Sequence, residues 1–380
     1  MSPEEHKAIE KEFSKEHQEV LRSLRGTRVL LPVLIGLGVV GWLFWRRFDP
    51  DEFRQIEWSG QVLFWVGVAV VLLVLRHLAY ATRLRILSQG AFSWRKCIEL
   101  IFIWEFSSAV SPTSLGGSAV AFFVLAQERL PVARTATIVL YTIVLDTFFF
   151  VSTLPLLYAL FGTHMIRPDM HTLAQMDAWG YYFVFAYLLM ATYGFAFFYG
   201  LFISPVQMKR ILVGATRIPF LRRFRANAVE LGNDLIMASD ELRRQPRTIH
   251  LVAFLSTMVA WSFRFLLLNC LILAFVPDIP RDFWSQFELY ARLETMFVII
   301  AFSPTPGGAG FVEVLFGGFL SDYVRTSTVA TVISTLWRLL TYYSYLIAGV
   351  IIIPNWLQRI LLERRQRRRK KRLSQKQPDQ

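Results

Sequence analysis

Asp146, Arg264 and Arg338 fall near the middle of long apolar runs, where a chain that crosses a bilayer should carry no charge. Glu105, Glu294 and Glu313 lie on or beside shorter apolar pieces, and Arg292 shares one of them. A charged side chain at the centre of a membrane helix costs roughly 2.5–3.5 kcal/mol on insertion scales, so it faces either a partner or a water-filled cavity. Two chemistries are open. The charges either pair with one another and hold helices together, or they line a cavity that takes a charged ligand.

A second ingredient sits beside them. Phe302 to Gly318 places Pro304, Pro306 and the glycines Gly307, Gly308 and Gly310 inside otherwise apolar sequence, and Ser111-Pro112-Thr113-Ser114-Leu115-Gly116-Gly117 repeats the pattern earlier. Both stretches read as broken helices. A half-helix that starts at Gly116 or Gly307 points unpaired N–H groups and a partial positive charge into the protein, where an anion such as a phosphodiester can be held. Glycine lets the ligand approach the backbone, and arginine offers a planar fork that suits phosphate. The competing reading of the glycines is close helix packing, and of the prolines a simple kink. The candidate lipid-binding set is therefore Gly116, Gly117, Asp146, Arg264, Gly307, Gly308, Glu313 and Arg338. Arg264 and Arg338 are expected on the phosphate, with Asp146 and Glu313 as counter-charges or as partners of a cationic or hydroxylated headgroup.

The elements that must position these residues follow from the apolar runs. The chain has 380 residues, 54% of them hydrophobic, and several runs approach the roughly 20 residues needed to cross a bilayer. The formal charge of +13 comes from Lys and Arg gathered between those runs, as orientation signals are, and not from a nucleic-acid-binding face. Expected spans are Val29–Trp45, Val62–Tyr80, Thr135–Phe161, Trp179–Ile203, His250–Val276 and Thr326–Ile353. The pieces Ile98–Val110 with Ser118–Ala126, and Trp284–Phe302 with Gly307–Leu320, are expected as two re-entrant hairpins. The basic segments Arg76–Lys96 and 205–248 are placed on the cytoplasmic side, as are both termini. The expected fold is an all-α polytopic membrane protein with six spanning helices plus two re-entrant broken-helix hairpins. Counting each hairpin as two crossings leaves every other loop on the same side. In this topology the halves run in opposite directions, the mark of an inverted repeat with substrate near the midplane. The domains are a cytoplasmic amphipathic segment (1–28), a transmembrane domain (29–355) and a basic cytoplasmic tail (356–380).

Other signals are weak. Cys97 and Cys270 are far apart and read as inert packing residues. His164, Asp169, His171 and Asp177 have no regular ligand spacing, so no metal and no other cofactor is expected. The bare pattern Asp49-Pro50-Asp51 carries little, and no P-loop, HExxH or GxSxG is present.

Pro304-Thr305-Pro306-Gly307-Gly308-Ala309-Gly310 with Glu313, followed by Arg338 on the next span, resembles the lysylphosphatidylglycerol synthase transmembrane family, also called the flippase-like domain family. Pro112, Gly116, Gly117 and the span of Asp146 match its first half, so the resemblance covers about residues 29–355. It departs where many members carry charges: Gly117-Ser118-Ala119-Val120 follow the first glycine, and Thr142-Ile143 precede the aspartate. The resemblance implies the lipid-translocating part of such a protein without a soluble aminoacyl-transfer domain. The expectation is a multi-pass protein of the cytoplasmic (inner) membrane that moves a phospholipid or lipid-linked headgroup between leaflets. A membrane-embedded transferase with Glu313 or Asp146 as general base is the alternative, a non-transporting scaffold the third reading. Partners are the lipid substrate and no nucleic acid, with homo-oligomerisation left open.

Overall fold

A computed structural model describes residues 51, 54, 59–110, 116–128, 130–166, 170, 176–303, 311–324 and 326–374. The first expected span and the amphipathic segment at 1–28 lie outside the described residues. Among the described residues the regular structure is entirely helical. In chain order the helices are α1 (Gly60–Leu87), α2 (Trp94–Val110), α3 (Gly116–Gln127), α4 (Val132–Phe161) and α5 (Ala178–Phe198). They continue with α6 (Pro205–Ala215), α7 (Arg225–Arg243), α8 (Arg247–Phe275), α9 (Phe283–Ala301) and α10 (Phe311–Phe319). The last are α11 (Ser327–Arg338) and α12 (Ser344–Ser374), joined by a π-helical turn at Leu339–Tyr343.

Among the described residues, five stretches are long and apolar enough to cross a membrane: Gly60–Leu87, Val132–Met165, Ala178–Ile203, Arg247–Phe275 and Ser327–Ile360. They coincide with the five expected spans that fall among the described residues. The chain is an all-α polytopic membrane protein. Its exterior agrees, because Leu63, Phe64, Val71 and Val74 on α1, Phe185, Leu188 and Phe195 on α5, and Ile347, Val350 and Ile351 on α12 are exposed. Water would penalise such a surface, whereas a hydrocarbon solvent does not.

Inside, α1 and α8 pack along most of their lengths. Helices α2 and α3 pack on each other, and α2 lies on α12; α9 and α10 pack likewise, and α9 lies on α5. Small residues allow the closest approaches. A Cβ on Gly194 of α5 would meet Thr147 of α4 at 2.1 Å, and one on Gly349 of α12 would meet Phe106 of α2 at 2.2 Å. Pro155 inside α4 lacks the N–H that would bond the Val151 carbonyl, and the Tyr187 hydroxyl of α5 donates to that oxygen instead, at 3.3 Å. Tyr182 donates to the carbonyl of Phe302 at 3.0 Å, where α9 ends.

One expectation is corrected. Val62–Tyr80 ends too early, since α1 runs on to Leu87, and Arg76 and Arg83 are not part of a solvated basic connection. Both are buried, Arg76 completely. Their guanidinium groups bond Glu105 and Asp146 inside the bundle. The segment 205–248 forms α6 and α7, and α7 docks on α4 through an Arg134–Glu241 ion pair at 3.1 Å.

Candidate functional site

Three of the eight candidate residues converge. Asp146 of α4, Arg264 of α8 and Arg338 of α11 line one cavity of about 480 Å³, within the range of small-molecule sites. Glu105 and Arg83 line it too, and its walls include Tyr80, Trp104, Trp261, Phe297 and Trp337. Gly116 is the first residue of α3, as a half-helix start requires, and Gly117 follows it. Gly307 and Gly308 lie outside the described residues. Glu313 falls on α10, with its side chain outside the described set.

The charges are not equivalent. Asp146 is engaged by Arg83, whose Nη1 donates to Oδ1 at 2.5 Å and whose Nη2 reaches Oδ2 at 3.4 Å. The indole of Trp261 donates to the same Oδ1 at 3.0 Å, and Thr257 accepts from Arg83 at 2.9 Å. Asp146 is thus not the direct counter-charge of Arg264 or Arg338. Arg83, absent from the candidate set, holds it. The signal was present: Arg76, Tyr80 and Arg83 recur at i, i+4 and i+7, one helix face, and both guanidinium groups lie about 5 Å from the Tyr80 ring, at 5.0 and 4.9 Å.

Glu105 is held by Arg76, which donates to its Oε1 at 2.8 Å and to the Tyr345 hydroxyl at 3.1 Å. His77 lies 3.2 Å from the same hydroxyl. Arg338 is buried, its guanidinium 5.3 Å from the Tyr342 ring. The π-helical turn that follows brings Thr341 and Tyr342 to the cavity wall.

Arg264 stands apart. Among the described residues it makes no hydrogen bond or ion pair; its guanidinium lies over the faces of Phe297 and Trp261, at 4.6 and 5.5 Å. The charges that act on it are the like charge of Arg76 and, more weakly, the Glu105 carboxylate, which Arg76 already binds. An arginine half-desolvated by aromatic faces, with its hydrogen-bond donors unused, is a ready anion site. The glutamates and arginine of α9 are engaged elsewhere: Arg292 pairs with Glu288 at 3.0 Å and Asp322 at 2.5 Å, and Glu294 accepts from Thr153. Of the residues weighed for metal between α4 and α5, Asp177 caps α5 by accepting from Gly180 N at 2.9 Å, whereas Asp169 and His171 lie outside the described residues.

The family model described as Lysylphosphatidylglycerol synthase TM region matches residues 29–349. A UPF0104 membrane protein of Archaeoglobus fulgidus is 25% identical over 336 residues, which cover 85% of this chain and 95% of that protein. No solved structure matches the chain.

Proposed function

The chain belongs to the lysylphosphatidylglycerol synthase TM-region family, and from that premise we propose that it translocates a phospholipid or lipid-linked headgroup between leaflets. The observation that carries the reading is Arg264, an arginine without an ion-pair partner among the described residues, in a cavity shared with Arg338 at membrane depth. An anionic headgroup would supply the missing counter-charge. The aromatic walls suit the glycerol and the first methylenes. Leu189 lines the cavity and is itself exposed, so the acyl chains have a sideways exit to the bilayer.

Movement between leaflets needs a site that opens to either side, and the order of elements supplies the means. Helix α1, the α2–α3 pair and α4 are matched by α8, the α9–α10 pair and α11. We read these as two inverted repeats, with the short pairs as re-entrant hairpins, in an inner membrane with both termini cytoplasmic. The matching of contacts supports this: α2 lies on α12, the helix after α11, as α9 lies on α5, the helix after α4. The transferase reading needs a carboxylate free to take a proton from the reacting group. Of the two carboxylates expected in that role, Asp146 is engaged by Arg83, which counts against it as a base, and the side chain of Glu313 lies outside the described residues.

The test is leaflet exchange of fluorescent phosphatidylglycerol in vesicles that contain the purified protein. Exchange faster than in empty vesicles, and reduced at least tenfold by Arg264→Ala, is expected. Exchange no faster than in empty vesicles, or unchanged by Arg264→Ala, overturns the proposal, and a changed lipid mass in the same vesicles would establish the transferase instead.

A further inference from the structure

Glu294 is a carboxylic acid with no exposure at all, eleven residues into α9. The Thr153 hydroxyl of α4 donates to its Oε1, and its Oε2 has no partner. Among the described residues no Lys or Arg forms an ion pair with it. The groups around it are neutral or engaged. On its own helix, the neutral Tyr290 hydroxyl faces the Glu294 carboxyl and hydrogen-bonds with Ser262 of α8 at 3.4 Å, and Arg292 is held by Glu288 and Asp322. From α5, Tyr187 and Tyr182 donate to backbone carbonyls. From α4, Asp146 is bound by Arg83 two turns away. On the short turn Gly162–Met165, which also packs on α9, the ionisable group is His164; from α10 it is Glu313, whose side chain is outside the described set. A bare carboxylate in such a place is costly, and a carboxylic acid escapes most of that cost by keeping its proton.

The position gives that proton a use. Phe297, one turn along α9, lines the cavity, stacks on Phe150 at 5.7 Å and lies beneath the Arg264 guanidinium. Phe297 thus touches the unpaired arginine and stands one turn from the acid on α9. The other half of the chain shows what the two can become. Glu105, also eleven residues into its helix, is ion-paired with Arg76, which lies sixteen residues past the start of α1 as Arg264 lies seventeen past the start of α8.

We propose that Glu294 is a proton-binding site that makes translocation proton-coupled: the anionic headgroup and the proton bind together, and when both leave, Arg264 closes on the Glu294 carboxylate. The charges balance, because one anion and one proton depart and one ion pair forms. This rests on the reading of Arg264 as the headgroup site. It also fixes the energetics, since the cotransport is electroneutral. A pH difference of one unit across the membrane then poises about a tenfold lipid asymmetry toward the leaflet facing the alkaline side, and membrane potential has no effect.

The proton and the lipid are tested separately. Infrared difference spectra of wild type against Glu294→Gln at neutral pH should contain a protonated carboxyl band; its absence overturns the proposal whatever the lipid does. In vesicles with fluorescent phosphatidylglycerol and clamped potential, a one-unit pH difference should shift the wild-type leaflet ratio about tenfold and leave Glu294→Gln, which keeps the acceptor for Thr153, without a shift. An equal shift in both proteins, or none in a wild type that does exchange lipid, overturns the coupling. A protonated band in a protein that exchanges no lipid at all upholds the proton site and removes the translocation reading instead.

Discussion

The molecule holds two arginine–glutamate sets in matching places and treats them differently. Arg76 of α1 reaches Glu105 of α2 at 2.8 Å and is fully buried, with the Tyr80 ring beneath it and the Tyr345 hydroxyl accepting a further bond. Arg264 of α8 and Glu294 of α9 have the same residue types within one residue of the same depths in their helices, yet each stands without the other. A buried pair contributes by satisfying two charges that neither helix could carry alone. An unpaired set carries free energy that something else must relieve. The first set is a fastening, and the second is where we propose that ligands bind.

The sharpest way to break that contrast is to remove one member of the closed pair. Arg76→Ala leaves Glu105 uncompensated and should destabilise the protein by about 3–5 kcal/mol, read as a large fall in Tm in detergent. Arg76→Met with Glu105→Leu should recover most of that loss. Arg264→Ala should do the reverse, with Tm unchanged or raised and headgroup affinity lowered by about 1.5–3 kcal/mol, measured by titration with phosphatidylglycerol in detergent. If both arginines behave alike in both measurements, the contrast has no physical content.

Smaller effects sharpen it. Gly349 admits α12 against Phe106, one residue beyond Glu105, so Gly349→Val should cost about 1–3 kcal/mol by overpacking and loosen the Arg76 pair. Hydrogen exchange at α2 reports it. The smallest effect belongs to α9. Ser285 holds the Asp282 carboxyl below the usual carboxylate range, through its hydroxyl and its amide, the latter at 3.0 Å. A depressed carboxyl stabilises above its unfolded pKa and loses that contribution as pH falls through its folded value. Asp282→Ala should therefore raise exchange at the start of α9 near neutrality and have no effect in strong acid.

Much of the fold was legible because its signals are local. Five spans follow from the length of apolar runs, which depends only on transfer free energy along the chain. The start of α3 at Gly116 follows from the residues around it. Asp146, Arg264 and Arg338 were recognisable as partners of one another or of a ligand because charge in an apolar run demands an explanation. Arg83 escaped because it stands at the end of an apolar run, where a basic residue also reads as an orientation signal. Its burial depends on α4, which approaches it from 63 positions away.

The sequence by itself determined that this is a helical membrane protein, that it carries charge inside apolar runs, and that one proline–glycine pattern occurs twice. Only the tertiary structure decided which arginine is closed and which is open. Pairing brings together residues as distant as Arg76 and Tyr345, 269 positions apart, and no spacing along one helix encodes which of several nearly equivalent partners a guanidinium will meet. That choice is made by the geometry of packed helices, which gives Arg76 an ion pair and Arg264 two aromatic faces.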